Sequence, residues 1–360
     1  MPDASLTIDG TEVLKKTSGE INLTNTNFVP NSSFMFRNKI INGNFDFWQR
    51  GTSHNTIGYG SVDRWRIYFN NTTQTISQGV FTNGQTEVPG NPKYYLSSSV
   101  VSSSGSSNQA SFSQFIEDVR TFSGQTVTLS FWAKADSNLN MVSEFRQYFG
   151  TGGSPSTAVV SIGVTTYNLT TNWQKFTSTV SIPSISGKTI GTDSTHRLQL
   201  NFFLDAGSDM DSRTNSLGHQ SGTFDIAQVQ LEEGTVATPF EHRPIGIELS
   251  LCQRYFCITP ATGVPVDSDN TSTYFATNVN WPVEMRAQPT LTYFGPSSGT
   301  IDLVEQWGGT NFTPTSTNFA SAHSSIVTNK RTGVMYIITN ASNNTSARTI
   351  GTIIHASAEL

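Results

Sequence analysis

Charge is what this 360-residue chain has least of. Asp, Glu, Lys and Arg make up 13% of it, against about a quarter of an average globular protein. Solubility therefore falls to hydroxyls and amides, with Ser and Thr together filling about a quarter of all positions. The net charge is -5, and lysines and arginines are scattered, with only Lys15-Lys16 and Lys330-Arg331 adjacent, so the basic stripe of a nucleic-acid binder is missing. No apolar run approaches about 18 residues, which excludes a membrane-spanning helix. The opening residues, MPDASLTIDG, have neither the basic start nor the apolar stretch of a secretory signal, so synthesis and assembly in a cytoplasm are expected.

Cysteine is nearly absent as well. Cys252 and Cys257 lie five apart beside Tyr255 and Phe256, with no Cys or His at zinc spacing, so free and mostly buried thiols are expected, with no metal and no cofactor. Helical periodicity is scarce. Catalytic signatures are missing too: Gly187-Lys188-Thr189 ends like a phosphate loop, but Ile182 stands where its first glycine belongs. The six histidines are scattered, without a His-x-x-x-His or Glu-x-x-His pair, and no Gly-x-Ser-x-Gly elbow occurs. Glu117 and Asp118, like Glu232 and Glu233, are sequence neighbours that point opposite ways on a strand and make poor glycosidase pairs. No catalytic residue is assigned.

What the chain does have is alternation. Segments such as TVTLSFWAKA (126–135), KFTSTVSIP (175–183), HRLQLNFFL (196–204), TFDIAQVQLE (223–232) and GVMYIIT (333–339) repeat apolar residues with period two, the pattern of half-buried strands. Gly, Asn, Asp and Ser clusters separate them, including DAGSDMDSRTNSLG (205–218). Asp205, Asp209 and Asp211 there, and Asp267 with Asp269 further on, could offer oxygens to Ca²⁺ but lack EF-hand spacing and read as turn formers.

The pattern predicts an all-β protein. An extended N-terminal arm occupies 1–36, a jelly-roll β-sandwich 37–244, and a smaller C-terminal β domain 245–360. A short linker helix is expected at about 246–256, where Ile247, Leu251 and Tyr255 recur every four residues and should form its buried face. The densest charge in the chain lies here, and Glu241, Arg243, Glu248 and Arg254 are expected to form ion pairs across the domain junction.

Ligand candidates are aromatics flanked by polar groups, because a sugar presents a flat apolar face and a rim of hydroxyls. Trp132 lies opposite Phe131 on its strand, while Glu144, Arg146 and Tyr148 share one face of SEFRQYFG. These four are the residues named for ligand binding. The alternative makes Trp132 a core residue and the triplet a solvated face.

The stretches NKIINGNFDFWQRGTS and SVDRWRI (38–67), GQTVTLSFWAKA, FGTGGSPS, NWQKFTSTVSIPSISGKTIGT, FDIAQVQLEEGTVATPFEHRPIGIELSLCQRYF and the ending ASAEL resemble bacteriophage tail fibre and related minor structural proteins that carry a carbohydrate-binding-module-like jelly roll. The resemblance implies a non-enzymatic virion protein on the tail or particle surface. Its N-terminal arm would dock to other virion proteins, and its β domains would meet a host-surface glycan. A homo-oligomer, with a trimer favoured, is implied as well. Such modules often hold a structural Ca²⁺ between two acids; Asp46 matches the first, but Ala227 and Gln228 stand where the second belongs, so no metal is expected. A capsid decoration or fibre-stem protein without ligand, and a glycan depolymerase, are the alternatives.

Overall fold

The computed structural model describes residues 36–260, 279–292, 330–332 and 354–360 with their side chains, and only the backbone of the other strands named below. In the expected arm, β1 (Ala4–Ile8), β2 (Thr11–Thr17) and β3 (Glu20–Leu23) pair antiparallel in that order. Eleven strands follow, of which β9, β12, β13 and β14 fall on the alternating segments named from the sequence: β4 (Ser53–His54), β5 (Trp65–Asn70), β6 (Thr73–Val80), β7 (Tyr94–Val101), β8 (Gln109–Glu117), β9 (Thr126–Ala135), β10 (Leu139–Tyr148), β11 (Val159–Leu169), β12 (Gln174–Ser181), β13 (Arg197–Ala206) and β14 (Gly222–Glu233).

These strands form two antiparallel sheets, one ordered β11-β10-β13-β8-β5 and the other β12-β9-β14-β7-β6-β4. From β7 onward the chain crosses between the sheets at almost every connection, which is the jelly-roll wiring. The core lies between them. Phe112 and Phe202 of the first sheet stack at 5.0 Å, Trp65 reaches Phe112 at 5.9 Å, and Phe131 of the second meets Phe202 edge-on at 5.2 Å. Each such side chain stabilises the fold by about 1.5–3 kcal/mol through burial, and the edge-on geometry suits the ring quadrupoles.

One bulge changes the phase of the pattern. Phe224 and Ile226 face the core, but Gln228 takes φ 50° and the pairing with β9 slips between Ala227 and Gln230. Val229 and Leu231 thereby turn inward, and the strand bends away from β7. Its freed edge receives residues 38–43: Lys39 N–H donates to Leu231 O and Val229 N–H to Gly43 O, both at 2.9 Å. A Cβ on Gly43 would lie 2.1 Å from the Val229 oxygen, so this segment requires glycine there.

The loop expected at 205–218 holds a 3₁₀ turn and a one-turn helix, α1 (Asp211–Thr214), laid over the outer face of the five-stranded sheet. The linker helix is α2 (Ile245–Gln253). Its buried face differs from the expected one: Ile247 is 37% exposed and Leu251 half-buried, while Glu248 and Cys252 turn inward, followed by Tyr255 just past the helix. Apolar spacing misplaced the face because buried partners await the Glu248 carboxylate. Cys252 and Cys257 are free and buried, and burial pushes both thiols up, Cys257 to about 11, which keeps them un-nucleophilic near neutral pH.

Beyond it, β15 (Phe256–Ser268), β16 (Thr273–Asn280), β17 (Thr290–Phe294), β18 (Leu303–Trp307), β19 (Thr315–Asn318), β20 (His323–Thr328), β21 (Thr332–Thr339) and β22 (Thr349–Ser357) make a third sheet, ordered β19-β18-β22-β15-β16-β21-β20 with β17 also on β22. Among the described residues no helix is long and apolar enough to cross a membrane.

Candidate functional site

Antiparallel register decides which side chains share the outer face of the five-stranded sheet. One row across it reads Arg66, Ser113, Asn201 and Glu144; the next reads Phe115, Gln199 and Arg146; Tyr148 and Arg197 pair beyond them. All of these except Glu144 and Tyr148 line an open groove of about 480 Å³, which Arg213 of α1 and Leu360 also line.

The floor is held by a chain of polar contacts. Gln199 donates to Asn201 Oδ1 at 2.6 Å, and Asn201 donates to Glu144 Oε1 at 2.9 Å. Glu144 is fully buried and also accepts from Ser161 N–H at 3.1 Å and from both Nε and Nη2 of Arg213. A carboxylate so buried survives only because its ion pair and hydrogen bonds replace water. Glu144 is therefore no solvated face residue; it anchors α1 over the groove.

Aromatics and guanidiniums interleave on top. The Arg197 guanidinium lies 4.1 Å from the Phe115 ring and 4.3 Å from that of Tyr148, and Arg146 lies 5.4 Å from Tyr148. Such stacking fixes the planar fork before any ligand arrives. Burial, joined by repulsion from Arg213, draws the Arg146 guanidinium below its ordinary value. Burial does the same to Arg197, with Arg146 and Arg66 adding repulsion against the pull of Tyr59 and Tyr148.

Of the four residues named from the sequence, Arg146 lines this groove, Glu144 lies beneath it and Tyr148 stacks at its edge. Trp132 stands apart from them. It lines a depression of about 480 Å³ on the outer face of the other sheet, with Lys175, Phe240 and His242, and packs against the small cluster of Phe81, Val88, Trp173 and Ala227. Arg66, Arg197, Arg213, Gln199 and Asn201 were not foreseen from the sequence. A signal was present: arginine at an outward position of an alternating strand, as in RWRI and HRLQLNF, is rare in a chain so poor in charge.

The charges at the junction have specific partners. Glu241 accepts the N–H groups of Phe36 and Asn38 at 2.5 and 2.9 Å, and Arg243 donates to Ile40 O at 3.2 Å and to Asn38 O. Both thus clamp the 36–42 segment onto the exit from β14. Arg243 pairs with Glu248 at 2.8 Å, and Glu248 accepts Asn42 N–H. Arg254 reaches Glu117 of β8 at 2.8 Å. Burial raises the Glu117 carboxyl, but the Arg254 and Tyr255 hydrogen bonds outweigh it and hold it below its ordinary value. Unforeseen in the sequence, Glu359 pairs with Arg50 at 3.0 Å and with Arg64, whose guanidinium lies 3.4 Å from the Tyr255 ring.

Two of the acids weighed for Ca²⁺, Asp205 and Asp46, have hydrogen-bond partners of their own. Asp205 is buried and accepts from Thr72, Ser102 and Gln220 N–H, and Asp46 accepts from Asn44. Gln228 donates its amide to Pro89 O at 2.7 Å. Among the described residues no group of three or more His, Cys, Asp or Glu could hold a metal ion; Asp269 and the side chain of Asp267 lie outside the described residues.

No protein-family model matches the chain, and no curated protein matches it. Solved structures with some similarity do exist. The enzymatically active domain of bacteriophage CBA120 tailspike protein 4 is 16% identical over 55% of this chain and 22% of that one, with a TM-score of 0.34. A putative sugar binding protein from Bacteroides thetaiotaomicron is 15% identical over 55% and 100%, also at 0.34. A family 11 carbohydrate-binding module from Clostridium thermocellum, in complex with a β-1,3-1,4-mixed-linked tetrasaccharide, is 11% identical over 52% and 98%, at 0.30. Likenesses this weak carry no functional inference; the groove has to do so.

Proposed function

We propose that the chain is a non-catalytic virion protein, a tail fibre or tail-associated adhesin, whose sandwich binds a host-surface glycan in the groove of the five-stranded sheet. One observation carries the glycan reading. An open channel across β5, β8, β13 and β10 is lined by the exposed Tyr68 ring and the nearly buried Phe115 and Phe203, beside serine hydroxyls, amides and guanidiniums, the combination that grips both the CH face and the hydroxyl rim of a sugar. Openness along the sheet suits an internal segment of a long chain better than a small molecule. The non-catalytic reading is supported by Glu144, the carboxylate under the groove, whose two oxygens are engaged by Arg213, Asn201 and Ser161 N–H. The virion setting rests on the sequence resemblance, which also motivates a trimer attached through the N-terminal arm.

Binding of the full chain to an array of polysaccharides, followed by calorimetry on the members retained, tests this. Specific binding weakened about tenfold in Tyr148→Ala but kept in Trp132→Ala is expected. A folded chain that binds nothing, or whose binding depends on Trp132 instead, would overturn the assignment of the groove. Labelling of intact particles at the tail and a solution mass three times that of one chain are the outcomes expected for the virion and trimer readings.

A further inference from the structure

The groove holds charge out of proportion to the chain. In a protein of net charge -5 with 13% charged residues, four guanidiniums, those of Arg66, Arg146, Arg197 and Arg213, line one groove; no Asp or Glu side chain lines it with them, and the α-carboxylate of Leu360 at its border makes no ion pair with them among the described residues. Glu144 below neutralises Arg213. Arg66, Arg146 and Arg197 enter no ion pair among the described residues; Arg197 donates one hydrogen bond, to Thr195 O at 3.0 Å. Arginine stays protonated in proteins, so three positive charges persist in a partly dehydrated place. The buried Nε atoms of Arg146 and Arg197 have no hydrogen-bond partner there.

Packing alone does not account for this. Stacking on Phe115 and Tyr148 needs a flat side chain, and three mutually repelling guanidiniums are a costly way to supply one. An oxyanion placed among them would relieve the repulsion and accept several charge-assisted hydrogen bonds at once. A saccharide is indicated by what surrounds the charges: Ser111, Ser113 and the Gln199 amide form a neutral polar floor, and Gln199 Oε1, its nitrogen committed to Asn201, is left as an acceptor without a partner. A hydroxyl donor suits that oxygen, whereas an inorganic anion would be repelled by it.

We infer that the groove selects an acidic glycan, one whose sugar units carry carboxylate or another oxyanion, with Arg66, Arg146 and Arg197 as its charge readers and Gln199 as a hydroxyl acceptor. This rests on the glycan reading of the same groove and adds the chemical class of ligand.

The test uses the full chain on an array holding acidic and neutral polysaccharides, with oligogalacturonate and its methyl-esterified form as a pair that differs by the charge and one methyl group on each unit, and a sulfated dextran as a second source of oxyanion. Acidic members alone should be retained, and their binding should weaken at least tenfold as salt rises from low to high ionic strength. Which of the carboxylated and sulfated members binds tells which oxyanion is read. Arg66→Gln, at the half-exposed margin, should lose about tenfold or more in affinity with an unchanged melting temperature, and Arg66→Lys should recover part of it. Retention of neutral glycans that ignores salt and Arg66→Gln, yet is weakened in Tyr148→Ala, would overturn the acidic class and leave the glycan groove standing. Absence of any binding by the folded chain would overturn both, and equal binding of every polyanion, unaffected by Arg66→Gln, would reduce the effect to general electrostatics and overturn it too.

Discussion

The two sheets of the sandwich carry outer depressions of the same volume, about 480 Å³ each, and opposite chemistry. On the five-stranded sheet the floor is amide, hydroxyl and guanidinium over a buried ion pair. On the six-stranded sheet Trp132, Phe240 and Pro239 line it, and Trp132 belongs to a satellite of the core. Size alone therefore does not mark a binding site. The arginine face carries unspent interaction capacity, in donors and an acceptor without protein partners, whereas the tryptophan face has used its aromatics in packing.

That contrast can be broken, and the heaviest blow is Glu144→Ala. Removing the carboxylate strands Arg213 and frees α1, and loss of one partner of a buried pair costs about 3–5 kcal/mol; urea unfolding should show it, with a smaller loss in Glu144→Gln. Next in size is Trp132→Ala, which should lower stability by about 1–3 kcal/mol, a half-buried share of the usual tryptophan truncation, while leaving glycan affinity unchanged. Its counterpart Tyr148→Ala should do the reverse, weakening glycan binding about tenfold, near 1.4 kcal/mol, with little change in unfolding midpoint. An inverted result for this pair would move the site to the six-stranded sheet.

A smaller effect belongs to the junction. Burial pushes the Asp63 carboxyl up to about 6 from 3.8, partly offset by Arg50. The folded state thus binds a proton more readily than the unfolded one. Its contribution to stability is fully present below the unfolded value and is lost as pH rises through about 6. Between about pH 5 and pH 8 this removes on the order of 1 kcal/mol, and unfolding curves of Asp63→Asn should be flatter over that range by this amount. The smallest expected change is Arg254→Ala. Its bridge to Glu117 is more than a third exposed on both sides, and such pairs contribute about 0.2–1 kcal/mol, measurable as reduced salt sensitivity of melting.

Much of the fold could be read directly. β9 matches the predicted 126–135 stretch end to end, and Phe131 and Trp132 lie on opposite faces as alternation requires. The shared face of Glu144, Arg146 and Tyr148 was legible for the same reason. The burial of Glu144 was not, since nothing within SEFRQYFG announces Arg213, which lies 69 residues further on. The α2 face was misread because its inward residue is an acid, held by Asn42 N–H and Arg243. The bulge at Gln228 left only a faint mark, the change of apolar phase between Ile226 and Val229.

By itself, then, the sequence determined the strands, the two faces of each and the scarcity of helix, because a period of two is a local property that every strand carries in full. Tertiary structure alone decided which outward rows became neighbours. Register set Arg66 beside Ser113 and Arg146 beside Gln199, and the wiring of the jelly roll put β5, β8, β13 and β10 on one sheet and Trp132 on the other. The physical reason is that a groove is made by pairing between strands far apart in the chain. Charge repulsion among its arginines exists only after that pairing has formed.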